Sequence, residues 1–269
     1  MNPYLELIRT SNCIIASIAS IIGFLIVAPA SINLLLGAIA VFLICAGGQA
    51  INDVFDAEID SKINKTKPIP SGKIKKTTAL NFSLVLFILG ILISSLINTQ
   101  TVIIAFVFAV LLIIYAVVLY KIKYIGNLVV ALGTAFTFIF GAASGGNISL
   151  LLIVFATSAF FANMAREITK DFEDIKKDKG FKKTLPMISE KLAKGFVIIY
   201  HLLAILFSLI AFVFFIPTNY VYAVIILLVA TTFGMSIKLL IDNDYNNSQK
   251  KCKKGMVFSL IAYASTIIR

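Results

Sequence analysis

Six aspartates stand out as the residues able to do chemistry. Asp53, Asp56 and Asp60 are spaced i, i+3, i+7, and Asp171, Asp174 and Asp178 repeat that spacing 118 residues later (53 to 171). On a helix this spacing puts three carboxylates on one face, with Glu58 and Glu173 off it. Carboxylates so close repel one another unless a cation neutralises them. Two such faces brought together form an oxygen-rich pocket suited to a hard divalent metal. Mg2+ takes a few carboxylates and completes its shell with water and substrate phosphates. Lys65 and Lys67 follow the first cluster and Lys170 adjoins the second, an arrangement that suits a diphosphate bridged by Mg2+ and held by lysines. A solvated helix end with mixed salt bridges explains one cluster, but not its repetition in the same register.

The elements that have to position these acids are membrane spans. Of the 269 residues, 59% are hydrophobic and 14% charged, where a soluble domain has about 25% charged. Apolar runs of about 20 residues, each enough to cross a hydrocarbon core of roughly 30 Å, recur along the chain. They predict an all-α polytopic membrane protein with nine transmembrane helices, near 11–28, 32–51, 78–97, 101–120, 125–144, 149–166, 195–216, 219–241 and 255–268. Four spans separate the two acid clusters, so the chain reads as a pseudo-repeat of two four-helix units plus a ninth helix. The start, MNPYLELIRTSN, has no small-residue cleavage site, so the first span is expected to be retained.

Apart from Arg269, the lysines and arginines lie in the N-terminus and in four connections or their borders, and all 13 acids lie there too. By the positive-inside rule the N-terminus and those connections are cytoplasmic and the C-terminus outside. Acids contribute little to topology, so their clustering on the same side calls for another reason. The net charge of +11, sited in this way, indicates a bilayer surface and no nucleic acid. Cys13, Cys45 and Cys252 have no metal-ligand spacing, and the two inside apolar runs, Cys13 and Cys45, read as small buried hydrophobes. No obligatory protein partner is implied.

NDVFDAEIDSKINKTKPIPSGKI, from Asn52 to Ile74, and KDFEDIKKDKG, from Lys170 to Gly180, closely resemble the two aspartate motifs of the UbiA superfamily of intramembrane prenyltransferases. The short LYKIKYIGN segment and the span count also match, and the resemblance covers the whole chain, 1–269, as a single domain. It implies cytoplasmic active-site loops at about 52–77 and 167–194, Mg2+ as cofactor and a polyprenyl diphosphate donor ionised between the two clusters. It gives Asp56, Asp60, Asp174 and Asp178 the catalytic place. Asn52, Asp53, Glu167 and Asp171 join them as metal ligands. Lys67 stands where the family usually has Arg, a point charge in place of a bidentate fork. Within the family the chain looks most like the archaeal ether-lipid branch. That likeness implies geranylgeranyl diphosphate as donor and the sn-2 hydroxyl of geranylgeranylglyceryl phosphate as acceptor.

Other positions keep two readings. Arg9 and Asn12 match a short N-terminal polar signature facing the same cavity, although Arg9 near a span end also reads as snorkelling to the interface. Lys121 and Lys123 either contact a phosphate or only obey the positive-inside rule. Tyr115 either packs against the prenyl tail or offers its π face to a carbocation. His201, alone in an apolar run, reads as hydrogen-bonded between helices. An aromatic acceptor of quinone synthesis would use the same scaffold. A secondary transporter would set its polar residues near the bilayer midplane, whereas these spans are nearly free of charge. A CDP-alcohol phosphotransferase would need a D-G-x-x-A-R segment, which the sequence lacks.

Overall fold

The structure is a computed structural model that describes residues 2–118, 123–178, 180 and 183–267. The chain forms α1 (Pro3–Leu7), α2 (Thr10–Val27), α3 (Ile32–Ile63), α4 (Lys76–Ser95), α5 (Thr99–Val117) and α6 (Lys123–Ser144). There follow α7 (Leu150–Asp178), α8 (Leu185–Ile188), α9 (Glu190–Phe215), α10 (Tyr220–Ile241) and α11 (Tyr245–Ser265). Among the described residues, eight helices are long and apolar enough to cross a bilayer: α2 to α7, α9 and α10. The expected ninth span falls in α11. That helix starts ten residues earlier than predicted because the Asp244 side chain caps its first turn. Its first two turns and more, YNNSQKKCKK, are polar, and its apolar part begins only at Gly255. The protein is a multi-pass membrane protein. Its exposed apolar side chains, such as Val221, Val224, Leu227 and Leu228 on α10, are of the kind that face lipid rather than water.

Two compact units divide the chain. The first holds residues 1–120 and 140–147 and the second residues 121–139 and 148–269, so α6 contributes to both. In the first unit α3 packs on α2, α4 and α5. Lipid tails are as apolar as leucine, so helices in a bilayer associate through close backbone approach and short polar links. Ser83 on α4 accordingly donates to the Gly47 carbonyl on α3 at 2.9 Å. The nearest approach is at Gly141, where a Cβ would stand 2.0 Å from the Ser20 carbonyl oxygen of α2.

In the second unit α7 packs on α9 and α11, and α10 joins the same two helices. Ser158 on α7 donates to the Ala204 carbonyl of α9 at 2.8 Å, and Ser236 on α10 donates to the Ser248 carbonyl of α11 at 2.9 Å. Phe155 of α7 stacks on Tyr263 of α11 with ring centroids 4.1 Å apart.

Replacing Gly141 by Ala forces two backbones apart. It should destabilise the protein by about 1–3 kcal/mol, the range for overpacking, seen as a lower thermal midpoint in detergent. An unchanged midpoint would mean that α2 and this stretch do not touch.

Candidate active site

A helix of 32 residues such as α3 is about 48 Å long at 1.5 Å per residue, well beyond a hydrocarbon core of about 30 Å. The surplus carries Asn52, Asp53, Asp56 and Asp60. Residues 52–63, expected as part of a loop, are therefore helical, and only residues 64–75 form the connection to α4. The four donors fall into two pairs. Asp53 and Asp60 are 4% and 7% exposed and share Lys67, whose Nζ lies 3.2 Å from Asp53 Oδ1 and 2.7 Å from Asp60 Oδ2. Arg9 also donates to Asp53 Oδ1, at 2.8 Å. Asn52 and Asp56 are half-buried, and Asn52 Nδ2 donates to Asp56 Oδ2 at 3.0 Å. Glu58 points away, exposed and 3.9 Å from Lys76.

Local chemistry sets both cations. In the connection, Pro68 and Pro70 fix φ, Gly72 takes the positive φ of 76° that the turn requires, and the Ile74 N–H closes on the Pro68 carbonyl at 3.1 Å. Ile69 and Ile74 pack into a core of Leu7, Ala50, Val54 and Ala79, which fastens the turn against α3 and holds Lys67 over the acids. Arg9 sits at the break between α1 and α2 with φ 49°. A left-handed arginine is strained, and its bond to Asp53 lies where that strain is held.

The second acid face is built on α7, 29 residues and about 44 Å long. Ile168 and Phe172 are buried in a core with Ala193, Val197 and Leu240, which fixes the rotation of the helix. Asp171 is 1% exposed and accepts from Asn127 Nδ2 of α6 at 2.7 Å. Glu167, also buried, pairs with Arg166. Asp174 is half-buried, and Glu173 turns aside to accept from Asn246 at 3.1 Å.

Asn127 was not among the residues expected from the sequence, and it is 2% exposed. A signal for it existed. Arg9 bonds Asp53 and Asn127 bonds Asp171 across the same separation of 44 residues, and Asn127 follows Arg9 by the same 118 positions (9 to 127) that separate the acids.

The remaining expected residues divide. Lys170 is half-buried beside Asp171 on α7, and Tyr115 is half-buried within α5. Lys65 and Asn12 are exposed, and Asn12 is tied to its surroundings by its backbone N–H, donated to the Arg9 carbonyl at 2.8 Å. Lys121 lies outside the described residues, as do the side chains of Lys123 and Asp178. His201 is buried but bonds the Val197 carbonyl of its own helix at 2.9 Å, not a neighbouring helix.

Carboxylate and amide oxygens are the donors that hard divalent cations take. Among the described residues no three acids converge as a ready-made metal cage. A multi-pass helical protein with buried acids on two membrane-crossing helices has the make-up of an intramembrane enzyme acting on anionic lipid substrates.

Comparison with known proteins agrees. Residues 16–261 match the UbiA prenyltransferase family. A digeranylgeranylglyceryl phosphate synthase of Methanosphaera stadtmanae is 34% identical over 98% of both chains. One of Saccharolobus solfataricus is 37% identical over 97% of this chain and 94% of its own. A solved structure of a digeranylgeranylglyceryl phosphate synthase superposes with a TM-score of 0.84 at 35% identity, covering 99% of this chain and 98% of that one. A UbiA homologue from Archaeoglobus fulgidus bound to DMAPP and Mg2+ shares the fold, with a TM-score of 0.74 at 16% identity over 97% and 98% of the two chains. The chain belongs to the UbiA prenyltransferase family.

Replacing Lys67 by Met leaves two buried carboxylates with fewer compensating donors. The variant should lose about 2 kcal/mol of stability, read as a lower thermal midpoint, while the exposed Lys65→Met should change little.

Proposed function

We propose that the protein transfers a geranylgeranyl group from geranylgeranyl diphosphate to the sn-2 hydroxyl of geranylgeranylglyceryl phosphate and releases diphosphate. The observation that carries this reading is full-length similarity to relatives named digeranylgeranylglyceryl phosphate synthase. The buried acids supply the chemistry that such a reaction needs.

In this reading each acid face would provide oxygen ligands for Mg2+, and the metal would hold the diphosphate. Asn52, Asp53, Asp56 and Asp60 act on α3, and Glu167, Asp171, Asp174 and Asp178 on α7. Mg2+, when bound, neutralises the diphosphate and so makes it a better leaving group. Arg9 and Lys67 fix the direction of Asp53 and Asp60 and add positive charge next to the phosphate oxygens. Asn127 holds one oxygen of Asp171 and so fixes the direction of its carboxylate. Asn12, Lys65, Lys121, Lys123 and Lys170 line the substrate headgroups, and Tyr115 lies along the tail. As the donor C1–O bond breaks, an allylic cation forms. The acceptor's sn-2 oxygen bonds to C1 and loses its proton. The apolar helices keep water from the cation.

The matched offsets of Arg9–Asp53 and Asn127–Asp171 support a diverged four-helix repeat. The apolar second half of α11 supports a ninth span, with the acid ends cytoplasmic.

Purified protein in detergent, given geranylgeranyl diphosphate and Mg2+, should alkylate geranylgeranylglyceryl phosphate and not 4-hydroxybenzoate, and EDTA should abolish the product. Product from the aromatic alone would move the enzyme to quinone synthesis. Asp56→Asn and Asp174→Asn should each reduce turnover at least about 100-fold with an unchanged thermal midpoint, and full activity in either would remove the metal-site assignment. Asn127→Ala should raise the Mg2+ concentration for half-maximal rate by about 10–100-fold, measured as rate against Mg2+ at saturating substrate.

A further inference from the structure

Two stripes of charge meet along α7 and α11. Arg166, Lys170 and Glu173 stand at i, i+4 and i+7 on α7, and Asn246, Lys250 and Lys253 stand at the same spacing on α11, so each set lies along one side of its helix. Three contacts fix the helices antiparallel. Phe172 stacks on Tyr245 with centroids 4.7 Å apart, Asn246 Nδ2 donates to Glu173 at 3.1 Å, and Cys252 Sγ contacts the Ala162 carbonyl at 3.8 Å. In that register Glu173 meets Asn246, and Lys253 lies close enough to Arg166 and Lys170 to feel both charges, together with those of Glu167 and Glu173; Lys250 stands one turn from Lys253 on the same side of α11. Burial and then the positive charges of Arg166 and Lys170 hold the Lys253 ammonium below the usual lysine range. Arg166 pairs with Glu167, Lys170 is half-buried, and the exposed Lys250 and Lys253 add positive charge alongside them. Like charges held close repel one another, and a phosphate dianion beside them offsets that repulsion.

We propose that Arg166, Lys170, Lys250 and Lys253 bind the phosphate monoester of the acceptor. The assignment rests on the transferase reading above. It gives the reaction's second anion a site of its own beside the second acid face. The cluster begins on the same helix as Glu167 and Asp171 and within one helical turn of them, about 5 Å. A phosphate seated there keeps the glycerol carbons beside the acid face, where its free hydroxyl meets the donor. An anionic lipid headgroup shares the phosphate chemistry, and the test separates the two sources.

The test uses the full-length protein in neutral detergent without anionic lipid. KM is measured for geranylgeranylglyceryl phosphate, for its phosphate-free analogue geranylgeranylglycerol, and for the diphosphate donor. Lys253→Gln should raise the KM for the phosphorylated acceptor about tenfold, leave the donor KM within twofold and leave the phosphate-free acceptor unaffected. Lys253→Arg should recover most of the loss. Lys254→Gln serves as control, because Lys254 turns to the Phe258 ring, 5.6 Å from its centroid, and should change nothing. An unchanged acceptor KM in Lys253→Gln, or an equal rise with the phosphate-free acceptor, overturns the assignment. In the first case tighter retention of the wild type than of the variant on vesicles of anionic lipid would assign the basic cluster to headgroups. Failure of the wild type to use any glycerophosphate acceptor would instead overturn the transferase reading and this site with it.

Discussion

A carboxylate taken out of water has to be compensated by something held close to it, and the ends of α3 and α7 are arranged around that requirement. Asp53, Asp60, Asp171 and Glu167 are all less than a tenth exposed. The first two are answered by Lys67 and Arg9, the third by Asn127, the fourth by Arg166. Each partner comes from a segment whose shape makes sense only in that light. The Pro-Ile-Pro-Ser-Gly turn is anchored by isoleucines so that one lysine reaches two acids. The chain breaks between α1 and α2 at a strained arginine. The first turns of α6 give up an apolar position to an asparagine.

The rest of the molecule meets the opposite condition, a solvent that does not drive helices together. Serine hydroxyls bonded to carbonyls of neighbouring helices, and a glycine where α2 and α6 nearly touch, replace the hydrophobic packing force of soluble cores. Aromatic stacks such as Phe155 on Tyr263 add directional contact in the second unit. Rigidity of this kind lets helices longer than the bilayer carry polar groups to a defined depth.

Much of this was legible in the sequence. The acids share a helical period, so their common face and the displaced Glu58 and Glu173 followed from spacing, and both displaced residues do turn aside. Apolar runs marked the eight spans closely because lipid imposes a length. Helix ends were harder. Residues 52–63 continue α3 because the charged turns still bury one side against the core of Leu7, Ala50 and Val54, a tertiary effect that no local composition reports. The early start of α11 depended on a cap at Asp244. Asn127 was overlooked because a single amide in an apolar run has no period of its own; it stands out only once Arg9 is known to bond Asp53. Lys67 was marked as a phosphate ligand, but that it bridges two carboxylates depends on how the turn folds back.

The bond from Arg9 to Asp53 also has a consequence in time. Its two ends lie 44 residues apart. At a synthesis rate of about 5–20 residues per second, several seconds pass between the emergence of the arginine and that of its acid. During that interval α2 already has the length and hydropathy to enter the bilayer, while the strained conformation at Arg9 has nothing to hold it. The same wait separates Asn127 from Asp171. In each unit a helix committed to lipid therefore precedes the acid that fixes its polar end, and assembly of the acid-bearing ends is postponed until the next long helix has been delivered to the membrane.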